Sequence, residues 1–260
     1  MRERLFHNFN RSAPTYDMHS AIQTHVGMEL ITRVPENLAA QRVLEIGCGT
    51  GSFTRHLRQR FPYAAITAVD SSAAMLAQAK TKLGDTGIEF LLADAEQLPE
   101  IGIFDLVASN ACLHWLTNLG QTLEQLVQRL VSDGTLLFST FGPQTYEELG
   151  TVLSDYLGTD SPLVSRSFAD LSQIGALLSE RFTQVQLDRE HLDRSFPSLL
   201  DLLRTIKYSG TQGVSQQVFT RLQLAQLQRR YQTRFGGIQA TYQVFYGLAQ
   251  VRSTPCVASS

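Results

Sequence analysis

Cysteine, an excess of charge of one sign and long apolar runs are all scarce in this chain, and each shortage removes a class of function. The three cysteines, Cys48, Cys112 and Cys256, show no metal-ligand spacing, so no structural metal and no disulfide framework is expected, and reduced thiols fit a cytoplasmic location. Nowhere do roughly 18 consecutive apolar residues suggest a membrane span. The opening Met1 to His7 lacks an apolar signal core, so no targeting segment is expected. Twenty-two basic residues face 24 acidic ones, and a net charge of -2 gives no global attraction to nucleic acid or to an anionic membrane. Internal repeats and low-complexity tracts are absent too. What remains is 260 residues with 43% hydrophobic content, enough for one substantial core plus an insertion, so residues 1–260 are expected to form a single domain.

The most informative run is Val43-Leu44-Glu45-Ile46-Gly47-Cys48-Gly49-Thr50-Gly51. Val43 to Ile46 read as a buried strand, the three glycines as a sharp turn against a ligand, and Ser52 as the start of a helix whose amide groups point inward. A dinucleotide fingerprint requires Gly-x-Gly-x-x-Gly with a pyrophosphate on the helix terminus. Here the glycines fall at 47, 49 and 51, position 52 is Ser52, and Glu45 precedes the loop. That is the S-adenosylmethionine pattern, because this cofactor has no phosphate and carries an amine, a carboxylate and two ribose hydroxyls. Alone, the loop reads equally as a tight strand-to-helix turn without ligand.

The following segments favour the cofactor. Asp70, ending the second strand beside Ser71, suits the ribose hydroxyls; Met75, in the helix after Ser72, can lie against adenine. The third strand, Ile88 to Leu92, brings Asp94 toward the adenine amino group and the Ala95 amide toward a ring nitrogen. A fourth, Phe104 to Ala108, delivers Asn110 and His114 to the same rim, where open α/β sheets bind ligands.

The alternation continues with a helix from about Asn118 to Val131, a turn at Ser132-Asp133-Gly134, a strand over Thr135 to Ser139 and a helix near Thr145. The last two strands are expected at Phe182 to Leu192 and Gln239 to Ala249. Between them, residues 197–235 read as two helices, Pro197 to Tyr208 and Ser215 to Phe235, too much for a hairpin connection and so an inserted helical lid. Residues 181–236 carry nine basic and four acidic side chains, +5 against -7 for the remainder, which suggests an acidic partner. Arg204 and Lys207 lie near the glycine break where the lid can bend inward, whereas Arg229, Arg230 and Arg234 read as a solvated helix surface.

Before the first strand, a segment over residues 1–35 is expected to cover the cofactor, with a helix from about Met18 to Arg33. Tyr16, His19 and Gln23 share one face at helical spacing; alternatively Tyr16 packs with Ile22 and Leu30.

In Phe9 to Asp17 with Gln23, Glu45 to Gly51, Asp70 to Met75, Asp94 to Pro99, Ser109 to Trp115, Phe138 to Phe141 with Glu148-Leu149, Lys207 to Thr211 and Ala240-Thr241-Tyr242, the chain resembles the malonyl-[acyl-carrier protein] O-methyltransferases of biotin synthesis. The likeness covers almost the whole chain. One departure is His114, where the family often has glutamine before the tryptophan. The resemblance implies a Rossmann-like class I methyltransferase fold, with a mostly parallel seven-stranded sheet flanked by helices. Its cofactor residues would be Gln23, Glu45, Gly47, Cys48, Gly49, Gly51, Asp70, Ser71, Met75, Asp94, Ala95 and Asn110. The substrate it implies is the free carboxylate of a malonyl group on acyl carrier protein, an acidic protein matching the basic lid face, and the product is the methyl ester. A carboxylate with a pKa of roughly 4 is already ionised and needs no general base. Tyr16, His114 and a lid cation, Lys207 or Arg204, would align it. Competing readings are a carboxyl methyltransferase of a free small acid such as aconitate, a quinone-ring methyltransferase with His114 as base, and a non-catalytic S-adenosylmethionine-binding protein.

Overall fold

A computed structural model describes residues 2–84, 87–160, 163–209 and 219–251. Seven strands form one sheet: β1 (Arg42–Ile46), β2 (Ala65–Asp70), β3 (Ile88–Leu92), β4 (Phe104–Ser109), β5 (Leu130–Phe141), β6 (Gln184–Phe196) and β7 (Ile238–Gln250). Their order is β3-β2-β1-β4-β5-β7-β6. The first five are mutually parallel, and β7 runs antiparallel to both of its neighbours. The strand order reverses between β1 and β4, which opens a crevice at the carboxyl ends of these strands.

Helices cover both faces because side chains alternate along each strand. Val43 points into a cluster with Val26 and Leu30 of α3 (Ala21–Thr32), Leu57 of α4 (Ser52–Arg60) and Leu149 of α7 (Glu147–Leu157). Leu44 and Ile46 join the opposite cluster with Leu123 and Leu126 of α6 (Leu119–Gln128) and Ile174 and Leu178 of α8 (Leu171–Ser179). Beside β2, α5 (Ala73–Leu83) is capped by the Ser72 hydroxyl, which accepts from the Met75 amide at 3.2 Å.

Boundaries differ from the sequence expectations at four places. Helix α6 stops at Gln128, and β5 already begins at Leu130, which pairs with Phe104. The residues read as a turn lie inside this strand, where Asp133 takes a φ of 65° and the register with β4 shifts. The chain is helical from α1 (Arg2–Ser12) onward, and the single helix expected from Met18 is divided into α2 (Tyr16–His19) and α3 by Ser20, whose ψ of 24° interrupts the helix. Both last strands run longer than expected.

The excursion between β6 and β7 consists of α9 (Leu199–Tyr208) and α10 (Arg221–Phe235). The latter starts at Arg221, and the expected start at Ser215 lies outside the described residues. Thr220 and Gln223 form a capping box there that satisfies orphan amide groups of the first turn. Residues 210–218 lie outside the described residues. Pairing of β5 with β7 stops at Phe141 and Val244, while β6 and β7 continue for six more pairs to Phe196 and Ile238. The excursion therefore leaves the sheet on the side of the crevice. Among the described residues no helix is long and apolar enough to cross a membrane.

Candidate active site

At the end of β1 the chain turns through Gly47, Cys48 and Gly49 into α4. Gly47 has a φ of 73°, and a Cβ there would lie 2.3 Å from Cys112 Sγ, so only glycine fits. Gly49 has a φ of 53° and nothing within 4 Å of the place its Cβ would take, which leaves the loop open toward a cavity. Asp70 anchors this loop. Its carboxylate accepts from the Gly49 amide and from the Ser72 amide, each at 2.8 Å, joining the ends of β1 and β2. Burial raises its pKa, opposed by those amide bonds. A carboxylate offers about four lone-pair directions, so Asp70 retains acceptor capacity toward the cavity.

The N-terminal helices are fastened over this loop. Asn10 Oδ1 accepts from the Ser72 hydroxyl at 2.8 Å and the Ala74 amide at 3.2 Å. The Asp17 carboxylate accepts from the Thr50 hydroxyl at 2.6 Å and from Lys82. Burial would raise the Asp17 carboxyl, but the Lys82 and Thr50 bonds outweigh it and hold the group below its usual value. Beneath this cover Tyr16 and Gln23 reach the cavity wall, so Tyr16 faces the cavity. Burial, and next the Asp70 charge, raise the Tyr16 phenol, which therefore stays protonated. Gln23 Oε1 is buried without a hydrogen-bond partner among the described residues, an acceptor awaiting a donor.

The far side is built from β4 and β5. Asn110 uses both ends of its amide internally: Nδ2 donates to the Gln23 carbonyl at 3.0 Å, and Oδ1 accepts from the Ser139 hydroxyl at 2.8 Å. Ala111 sits at a φ of 49° and directs the chain into the 3-10 turn Leu113–Trp115. There His114 packs among Trp115, Phe141 and Phe168 at ring separations of 4.7 to 5.0 Å. Its Nδ1 accepts from the Phe141 amide at 3.4 Å and lies 3.3 Å from the Thr140 hydroxyl. An amide N–H can only donate, so Nδ1 is the bare nitrogen and Nε2 carries the proton. Nε2 has no partner among the described residues. Burial alone lowers the imidazole pKa to about 3.

One cavity thus crosses the carboxyl ends of five strands: Asp94, Ala95 and Glu96 after β3, Asp70 and Ser71 after β2, Gly47 and Gly49 after β1, Asn110 to Cys112 after β4, and Phe141 at β5. Tyr16, Gln23, Met75 and His114 complete the expected residues that line it. Cys48 borders a small adjoining lobe shared with Tyr16 and Gln23. Gly51 is the left-handed N-cap of α4, where a Cβ would meet Leu83 at 2.9 Å; its role is packing against α5.

Glu45 is 1% exposed and lies outside the cavity lining. Neither Arg204 nor Lys207 lines it: Arg204 pairs with Asp201 at 3.6 Å, and Lys207 lies 5.6 Å over the Tyr208 ring. The end of α9 reaches the cavity through Ser209, and Tyr208 stacks on His19 at 4.9 Å. Phe9 and Trp115, edge-on at 6.1 Å, also line the wall; their sequence signal was only the motif context around Asp17 and His114. No Lys or Arg is among the lining residues. Among the described residues no cluster of His, Cys, Asp or Glu is arranged to hold a metal ion.

Known proteins resemble this chain in sequence and in fold. A methyltransferase domain pattern matches residues 44–138. A malonyl-[acyl-carrier protein] O-methyltransferase from Anoxybacillus flavithermus is 34% identical over 247 residues, covering 92% of this chain and 93% of its own. One from Geobacter sulfurreducens is 32% identical over 265 residues, covering 96% and 98%. Among solved structures, the YcgJ protein of Bacillus subtilis superposes with a TM-score of 0.62 at 18% identity, over 88% of this chain and 99% of its own. The N-methyltransferase NodS of Bradyrhizobium japonicum, in complex with S-adenosyl-l-homocysteine, gives 0.54 at 14% identity, over 95% and 98%. The solved structures share the fold, and the sequence relatives, matched nearly end to end, place this chain in the malonyl-[acyl-carrier protein] O-methyltransferase family.

Proposed function

We infer that this chain transfers a methyl group from S-adenosylmethionine to the free carboxylate of a malonyl thioester carried on acyl carrier protein. The observation that carries the reading is a cavity spanning five strand ends, lined by neutral donors and carboxylates and by no Lys or Arg among the described residues. A free di- or tricarboxylic acid such as aconitate would bring further negative charges into a cavity lined by Asp70, Asp94 and Glu96 and by no Lys or Arg among the described residues. A malonyl thioester brings one.

The cavity residues fit the cofactor. Gln23 Oε1, buried and unpaired, suits an ammonium; Asp70 retains acceptor capacity for ribose hydroxyls; Met75 and Ala95 border the side where Asp94 would receive an adenine amino group. When bound, the cofactor supplies a sulfonium methyl as electrophile. With it held there, a carboxylate oxygen would form the new O–C bond as the S–C bond breaks, the electron pair of the broken bond would stay on sulfur, and no proton would move. Tyr16 and His114, both held neutral, would orient that oxygen by hydrogen bonding without the stronger ground-state stabilisation that a cation would impose. His114 is too weakly basic, at a pKa of about 3, to serve as a general base near neutrality. Because two opposite charges vanish in the reaction, the apolar walls of Phe9, Trp115, Leu116 and Phe141 favour it by excluding water.

The exposed cations Arg204 and Lys207, on the helix that ends at the cavity, supply a place for the acidic carrier protein to dock. The test is transfer of labelled methyl from S-adenosylmethionine to malonyl-acyl carrier protein beside malonate, malonyl-CoA and aconitate. Preference for the carrier-bound thioester is expected; preference for aconitate would overturn the assignment.

A further inference from the structure

A second chamber of about 290 Å³ adjoins the cavity on the β4 and β5 side. His114, Leu116 and Phe141 line both spaces and form the partition between them. Beyond the partition, Leu113, Ile174 and Leu177 supply apolar surface and Thr117, Ser167 and Gln173 supply hydroxyl and amide groups. Apart from His114, none of the chamber's lining residues is ionisable. Thr117, Ser167 and Gln173 are exposed, so they form its mouth toward solvent.

These features select a ligand. A chamber without charged groups gives a phosphate or a carboxylate no partner that would hold it there, though it can let one pass. It suits an uncharged, flexible chain that alternates methylene and amide groups. At the partition, the protonated Nε2 of His114 is a buried donor without a partner among the described residues, a costly condition that an acceptor oxygen relieves.

We propose that this chamber holds the amide-bearing thioester arm of the substrate, with His114 at the junction donating to an oxygen of the acyl group as it enters the catalytic cavity. The proposal rests on the malonyl-thioester reading above and adds the route by which that substrate enters: past α8 and the Ser167 loop.

The test uses two substitutions at the exposed mouth, Ser167→Tyr and Thr117→Tyr, with malonyl-pantetheine, malonyl-acyl carrier protein and malonate as substrates. Both variants are expected to raise KM for the two thioesters about tenfold while kcat stays within about twofold. Affinity for S-adenosylhomocysteine, read by calorimetry, should stay at the wild-type value. Unchanged thioester KM in both variants would overturn the proposal, as would an equal loss for malonate. A second measurement needs no variant and no turnover. Pantetheine alone should quench the single tryptophan, Trp115, which lies 5.7 Å from Phe168 at the chamber wall, and the quench should weaken in Ser167→Tyr. Absence of saturable quenching in the wild type would sink the chamber as an arm site. Quenching without methyl transfer to any malonyl thioester would instead overturn the catalytic reading, and with it the acyl-group role of His114.

Discussion

Glu45 keeps its carboxyl buried beside Thr54 of α4 and outside the cavity lining. Burial raises its pKa to about 8, with the Thr54 hydroxyl opposing, and Oε2 has no hydrogen-bond partner among the described residues. Below the unfolded value of 4.5 both states hold this proton; between there and about 8 the unfolded chain loses it while the folded chain keeps it. The contribution to stability is therefore full below pH 4.5 and is lost as pH rises through about 8, by an amount on the order of a few kcal/mol. Glu45→Gln should flatten this dependence, so that thermal melts from about pH 5 to pH 8 show a smaller fall in Tm than the wild type. An identical slope would place the proton elsewhere. At the same scale Gly47, Asp70 and Asp94 were legible because a sharp turn and a strand-end carboxylate have local signatures. The fate of Glu45 was not legible, since strand alternation alone cannot say which neighbour covers a given side chain.

At the scale of elements, the N-terminal helices act as a cover because two polar contacts hold them to the loop and to α5. Asn10 binds Ser72 and Ala74, and Asp17 binds Thr50 and Lys82. Removing both contacts with Asn10→Ala and Asp17→Ala should weaken S-adenosylhomocysteine binding about tenfold, measured by calorimetry, while far-ultraviolet circular dichroism stays that of the wild type. Binding equal to wild type would mean the cover does not contribute to the cofactor site. The α10 capping box offers a separate check, because Thr220→Ala should cost about 1 kcal/mol, read by chemical denaturation, without touching the cavity. Helix and strand order followed from apolar spacing and turn residues. The division of the first helix at Ser20 did not, since nothing in the apolar spacing around it marks an interruption.

Across the whole molecule, the basic segment at residues 181–236 is dispersed by folding. Arg181 pairs with Glu124 and Glu180, and Arg234 with Asp155. Arg189 and Arg194 stand on the edge strand β6. Within that segment Arg204 and Lys207 are exposed on α9, the helix whose end reaches the cavity at Ser209. Reversing both charges, Arg204→Glu with Lys207→Glu, should raise KM for malonyl-acyl carrier protein about tenfold and leave malonyl-pantetheine unaffected. The wild-type KM for the carrier should also climb with salt, and a loss shared by malonyl-pantetheine would exclude a docking role.

The amino-acid sequence by itself determined the parallel α/β order, the glycine loop and the carboxylates at successive strand ends, because each depends on contacts between residues close along the chain. Only the tertiary structure decided that Tyr16 faces the cavity, that Glu45, Lys207 and Arg204 stay out of its lining, and that His114 lies between two chambers. Those outcomes depend on which elements meet: α2 over the glycine loop, α8 and the Ser167 loop against β5, and the extended β6–β7 ladder carrying α9 to the crevice. Such meetings are set by burial and packing over the whole chain, and no local pattern of residues encodes them.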